Sequence, residues 1–205
     1  HFAVIQPRHV WLAHWNVLGH VAPQGGDPSF LGAYLGPDAI IVDDPTAWPD
    51  VHLALGVGFV DRSSQLFFSR IAQMLIRTKR PLAKIVHPSA VIAPSATIAD
   101  GVFVAANVVI GTRSHIEAAS LVNTGSIIDH DCFVSSGVHL GVAARLCGRV
   151  RVGAGSLLGA CCVIRQGIEI GENAIVGAGS VVIKAVPDNS TVFGVAASRR
   201  GEDTL

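Results

Sequence analysis

The chain has 205 residues, 15 basic and 15 acidic, so its formal net charge is zero with histidine neutral. Charged residues make up only 15% and apolar residues 50%, with a mean hydropathy of +0.49, which excludes a disordered chain and leaves no basic excess for nucleic acid. The longest uncharged stretch, His9–Gly26, carries three histidines with Asn16, Pro23 and Gln24, so it is not a membrane-spanning run.

In chain order, Phe2–Ile5, Val17–Ala22 and Ala39–Val42 read as short strands. Val51–Val60 reads as a buried strand running into a glycine turn. Asp61 is placed to cap a helix whose apolar face is Leu66, Phe67, Ile71, Met74 and Leu75. Arg77, Lys79 and Arg80 suit its C-terminal end, where the helix dipole is negative. Pro81 stops it. Strands alternating with a helix predict a small parallel α/β unit. Leu82–Pro88 links this unit to the C-terminal half, and the chain divides near residue 84.

From Val86 the texture changes to a six-residue period. Val86, Ile92, Ile98, Val104, Ile110, Ile116, Val122, Ile128, Val134, Leu140, Leu146, Val152, Leu158, Ile164, Ile170, Val176 and Val182 are all aliphatic. Two residues before each, from Ala90 to Ser180, the positions are small or β-branched. Six fits neither a helix nor a simple alternating strand, but it fits a short strand plus a tight corner. Three such units close a triangular coil of eighteen residues, the pattern of a parallel β-helix. β-branched residues suit its strands. The glycines just after the aliphatic positions (Gly111, Gly141, Gly153, Gly159, Gly171 and Gly177) are expected at corners of positive φ. The span to Val182 makes between five and six coils.

Cys132 and Cys162 fall in the small-residue slots, and Cys147 and Cys161 lie off the inward positions. With no C-x-x-C pair and no secretory leader, the expected compartment is a reducing cytoplasm. A chain opening on His1 is expected to be processed, partial or tagged.

The interior of such a prism is inert, so chemistry belongs to its corners. His130 lies two residues past the inward Ile128, between Asp129 and Asp131. A neighbouring carboxylate fixes an imidazole tautomer and raises its basicity, which suits a general base. One coil on stands Gly148, which leaves room for a ligand and a backbone N–H. His139 is half a coil away and meets His130 only across a subunit interface. His9, His14, His20, His52 and His115 have no comparable setting.

The segments HPSAVIAPSATIADG (87–101), NTGSIIDHDC (123–132), SSGVHLG (135–141), CGRVRVGAGSLLGA (147–160) and IVGAGSVVIKAVPDN (175–189) resemble the hexapeptide-repeat sugar acyltransferases of the sialic-acid O-acetyltransferase type. The resemblance is closest to the branch that acetylates the 4-amino group of nucleotide-linked 4-amino-4,6-dideoxy sugars for bacterial surface glycans. It implies a left-handed parallel β-helix at residues 85–186, a small N-terminal Rossmann-like α/β sugar-nucleotide domain at 1–84, and a C-terminal tail at 187–205. It implies a cytoplasmic homotrimer with acetyl-CoA as co-substrate, no metal, and neither nucleic acid nor membrane as partner. On this resemblance His130 is the catalytic base and Asp131 its acidic partner, with Asn123 and His139 near the acetyl group. Acetyl-CoA would contact Gly148, Ala160 and Gly177-Ala178-Gly179, with Lys184 beyond.

Two positions depart from that family. Its glycine-rich turn after the first strand is replaced by Gln6-Pro7-Arg8, and acidic residues after the second strand by His20-Val-Ala-Pro23. The alternatives are O-acetylation of a sugar hydroxyl, a zinc-dependent carbonic anhydrase on the same prism, and a non-catalytic binding prism. The histidines His115, His130 and His139 lack the close-spaced ligand pair that a zinc site needs.

Overall fold

A computed structural model describes residues 2–7, 15–21, 33–36, 52–55, 61–77 and 80–194. Its first part holds β1 (Phe2–Pro7), β2 (Trp15–Val21), β3 (Ala33–Gly36), β4 (His52–Leu55) and α1 (Arg62–Arg77). The strands form one sheet in the order β3-β2-β1-β4. The expectation of a parallel unit needs correction, because β1 runs antiparallel to both β2 and β4 and only β2 and β3 are parallel. The link from Pro7 to Trp15 is too short for a parallel crossover, which needs about a dozen residues. One βαβ-like passage survives. After α1 the chain returns so that Leu82 pairs in parallel with Leu53, and Leu53 N–H donates to the Pro81 carbonyl at 2.9 Å. The strand expected at Ala39–Val42 lies outside the described residues.

The helix begins where Asp61 caps it. Its Oδ1 accepts the Ser64 N–H at 2.8 Å, and Ser64 Oγ accepts the Asp61 N–H at 3.1 Å. The buried face is Gln65, Phe68, Ile71, Ala72 and Leu75. Leu66 and Phe67, expected inside, are 60% and 40% exposed.

From Ile85 onward the chain winds a triangular prism of parallel two-residue strands, stacked into sheets of seven, six and five strands. Each residue pairs with the one eighteen later, as Ile128 does with Leu146. The aliphatic positions from Val104 to Val182 point inward and are buried, and so are the small-residue positions from Val102 to Ser180. Towards the open end of the prism the burial weakens: Ile92 and Ile98 are only partly buried and Val86 is 38% exposed. The prism also continues beyond the boundary expected at 186, since Thr191–Val192 pairs with Ile175–Val176. That last coil advances by sixteen residues, which takes it off the six-residue period and conceals it in the sequence.

The corners correct the reading of the glycines. Positive φ falls three residues after the inward position, at Asn107, Arg113, Ala119, Asp131, Ala143, Arg149 and Cys161 among others, with glycine at only some of these places. The glycines that directly follow the inward residues serve close approach between coils. A Cβ on Gly159 would lie 2.5 Å from the Ala178 nitrogen, and one on Gly141 2.7 Å from the Ala160 nitrogen.

The three outer faces differ. Helix α1 covers the seven-stranded face, where Phe68 and Ala72 cluster with Leu157 and Ile175. Gln65 Nε2 donates to the Gly155 carbonyl at 2.7 Å, and Arg62 reaches the Asn173 carbonyl at 2.6 Å. The six-stranded face presents Val91, Val109, Ile127, Arg145, Val163 and Val181, and the five-stranded face Thr97, His115, Phe133, Arg151 and Glu169. Among the described residues no helix is long and apolar enough to cross a membrane.

Candidate active site

His130 stands at the corner where the six-stranded face turns into the five-stranded one. Its backbone is pinned on both sides: its N–H donates to Asp129 Oδ1 at 2.7 Å, and its carbonyl accepts the Arg149 N–H at 2.8 Å. Asp131, the next residue, carries the corner's positive φ of 58°. That turn brings its side chain back to the imidazole, so His130 Nδ1 and Asp131 Oδ2 lie 2.7 Å apart. Nε2 is then the ring nitrogen left for a substrate, on a side chain 41% exposed.

Gly148 lies directly beneath. A Cβ there would sit 2.4 Å from His130 Nε2 and 2.6 Å from Cε1. The space that glycine frees is therefore occupied by the imidazole itself, not left open for a ligand as expected.

A residue the sequence reading missed completes the group. Arg113 grips Asp131 with two prongs, Nε to Oδ1 at 2.6 Å and an η nitrogen to Oδ2 at 2.8 Å. Its signal was the coil period, which places it eighteen residues before Asp131. The hydrogen bonds from Arg113, followed by that from His130, hold the Asp131 carboxyl far below the usual carboxylate range. An ionised carboxylate thus faces an imidazole nitrogen, the arrangement of a general base with its orienting partner.

The other expected residues fall in two further places. Asn123, Ala160 and Gly177-Ala178-Gly179 occupy the corner between the seven- and six-stranded faces, with Gly179 N–H donating to the Ala160 carbonyl at 2.8 Å. His139 is buried in the outer row of the seven-stranded sheet, between Leu121 and Leu157. Neither place adjoins the His130 corner within one chain. Lys184 does share its column: His130, Gly148, Gln166 and Lys184 recur at eighteen-residue steps in register. Three steps of the strand spacing span about 14 Å. Lys184 also lines a cavity of about 320 Å³ at the C-terminal end of the prism, together with Val181, Ile183 and Phe193.

The buried thiols are unsuited to nucleophilic work, since burial pushes Cys132 up to about 11 and Cys162 up to about 12. Among the described residues no group of three His, Cys, Asp or Glu is placed to hold a metal ion.

Residues 144–184 match the family described as bacterial transferase hexapeptide (six repeats). No curated protein matches the chain by sequence. Among solved structures, PerB from Caulobacter crescentus in complex with CoA and GDP-perosamine is 33% identical, with a TM-score of 0.69 over 85% of this chain and 82% of that one. A histidine-to-asparagine mutant of perosamine N-acetyltransferase from the same organism, also with CoA and GDP-perosamine, is 31% identical, with a TM-score of 0.68 over 83% and 79%. The acetyltransferase domain of PglB from Neisseria gonorrhoeae, in complex with acetyl coenzyme A, is 25% identical, with a TM-score of 0.72 over 85% and 82%.

Proposed function

The chain belongs to the hexapeptide-repeat sugar N-acetyltransferases, which are acetyl-CoA-dependent, and from that premise we propose its acceptor and its catalytic residues. The acceptor is the 4-amino group of a nucleotide-linked 4-amino-4,6-dideoxy sugar destined for a bacterial surface glycan, acetylated in the cytoplasm. The observation that carries the catalytic assignment is the 2.7 Å contact between His130 Nδ1 and Asp131 Oδ2 above Gly148.

The reaction is a direct transfer. The neutral amine attacks the thioester carbonyl, so an N–C bond forms and the carbonyl π electrons move to oxygen. His130 Nε2 takes the proton released from the attacking nitrogen, and Asp131 stabilises the resulting imidazolium. The Gly148 N–H stabilises the oxyanion. Collapse of the tetrahedral species breaks the C–S bond and expels CoA thiolate, which takes the proton held by the His130 imidazolium and leaves as the thiol. Holding the two substrates together supplies much of the remaining acceleration.

The site is completed between copies of a homotrimer wound with the left hand of the family. Asn123, Ala160 and Gly177-Ala178-Gly179 lie on the opposite edge of the six-stranded sheet from His130. A neighbouring prism can therefore present them across a groove. Lys184 offers a cation to the phosphates of CoA. The outer row of the six-stranded face, apolar apart from Arg145, supports the packing. Residues 1–84 are assigned to the sugar nucleotide, and the prism to acetyl transfer.

Turnover of UDP-, GDP- and dTDP-linked 4-amino sugars with labelled acetyl-CoA tests the acceptor. His130→Ala is expected to lose about 10²–10⁴-fold in kcat while sedimenting like the unaltered protein. Near-normal turnover by a trimeric His130→Ala protein sinks the catalytic assignment. Acetylation of sugar hydroxyls with no amine acceptor sinks the N-acetyl reading.

A further inference from the structure

We propose that Arg113 is a positioning residue for acetyl transfer, clamping the Asp131 carboxylate in the orientation that faces the His130 ring; this rests on His130 being the base. Arg113 and Asp131 occupy the same corner position in successive coils, with φ of 55° and 58°. Their side chains therefore leave the prism side by side, one strand spacing apart. Both backbones are anchored: Arg113 N–H donates to Ser95 Oγ at 3.1 Å and Asp131 N–H to the Thr112 carbonyl at 2.9 Å.

The clamp is specific in its atoms. Asp131 Oδ2 is the oxygen facing His130 Nδ1, and it also takes one of the two guanidinium prongs. Oδ1 takes the other. A carboxylate held at both oxygens cannot turn about its last bond without losing Arg113. A partly exposed aspartate without that grip samples other rotamers. Only a planar fork does this, because an ammonium is a single point of charge.

The surroundings leave Asp131 without a substitute. The Asp129 carboxylate is engaged by the His130 backbone N–H. Arg149, one coil on, meets His130 through its own backbone N–H. Cys132, the residue after Asp131, is buried in the inward small-residue position.

The test is a kinetic cycle of Arg113→Met, Asp131→Asn and the double variant, with Arg113→Lys and His130→Ala measured alongside. Arg113 is 67% exposed, so the variants are expected to fold, and melting curves check this. Arg113→Met is expected to lower kcat about tenfold with both KM values within about twofold, and to cost nothing further in the Asp131→Asn background. Arg113→Lys is expected not to restore kcat, because a single point of charge cannot hold both carboxylate oxygens. Unchanged kcat in Arg113→Met, or a loss that adds fully to that of Asp131→Asn, overturns the proposal. Normal turnover by His130→Ala removes the base and this proposal together. A His130-dependent reaction without Arg113–Asp131 coupling removes this proposal alone.

Discussion

At Gly148 the absence of a side chain is what lets His130 lie where it does. A Cβ would meet Nε2 at 2.4 Å, and the imidazole is the softer partner because it ends a rotatable side chain. Gly148→Ala is therefore expected to displace the ring without removing it, lowering kcat by about 10- to 100-fold, less than the roughly 10²–10⁴-fold of removing the base, while leaving Tm nearly unchanged. Steady-state kinetics beside a thermal melt check this, and a normal kcat would show that the ring position is not used. His130 and Asp131 were legible because a histidine flanked by aspartates on both sides stands out within the repeat. Arg113 was not, because an arginine between Thr112 and Ser114 looks like any solvated charge until the coil period sets it against Asp131.

At the scale of elements, α1 shows how a correct element can carry an incorrect face. Asp61 was rightly read as its cap, and that cap makes a testable statement about acid. Hydrogen bonds from the Ser64 side chain, then from its backbone, lower the Asp61 carboxyl to about 2. A carboxyl depressed on folding contributes stability above its unfolded value, near 3.8, and loses it as pH falls towards about 2. Asp61→Ala is expected to lower Tm by about 2–4 °C at pH 7, with the difference from the parent shrinking between pH 4 and pH 2. Calorimetry over that range decides it, and a difference constant with pH would sink the assignment. The buried face was harder to read, because hydrophobicity alone favoured Leu66 and Phe67 over Gln65. What buries Gln65 is a carbonyl on the prism, that of Gly155, which no local pattern reveals. The antiparallel pairing of β1 likewise depended on a short connection rather than on the strand's own composition.

At the scale of the whole molecule, a solenoid is nearly one-dimensional, since each coil touches only its neighbours. The same aliphatic position is therefore worth different amounts along its length. Ile128 has a coil on either side and is fully buried, whereas Val86 ends the stack and is 38% exposed. Ile128→Ala is expected to cost about 2–5 kcal/mol and Val86→Ala less than about 1 kcal/mol. Chemical denaturation of the two variants compares them, and equal losses would contradict a prism that opens at Val86.

The sequence by itself determined the prism, because a six-residue period of inward aliphatics admits one stacked solution and its register comes from counting eighteen. It also pointed the chemistry to His130, since the interior has nothing reactive to offer. The tertiary structure decided which side chains share a corner: Arg113 with Asp131 and His130, Asn123 with Ala160 on another edge, and His139 on the face that the helix covers. The reason is physical. Strand period is a local property of the chain, whereas the contacts at a corner depend on how far each coil advances and on which element covers each face.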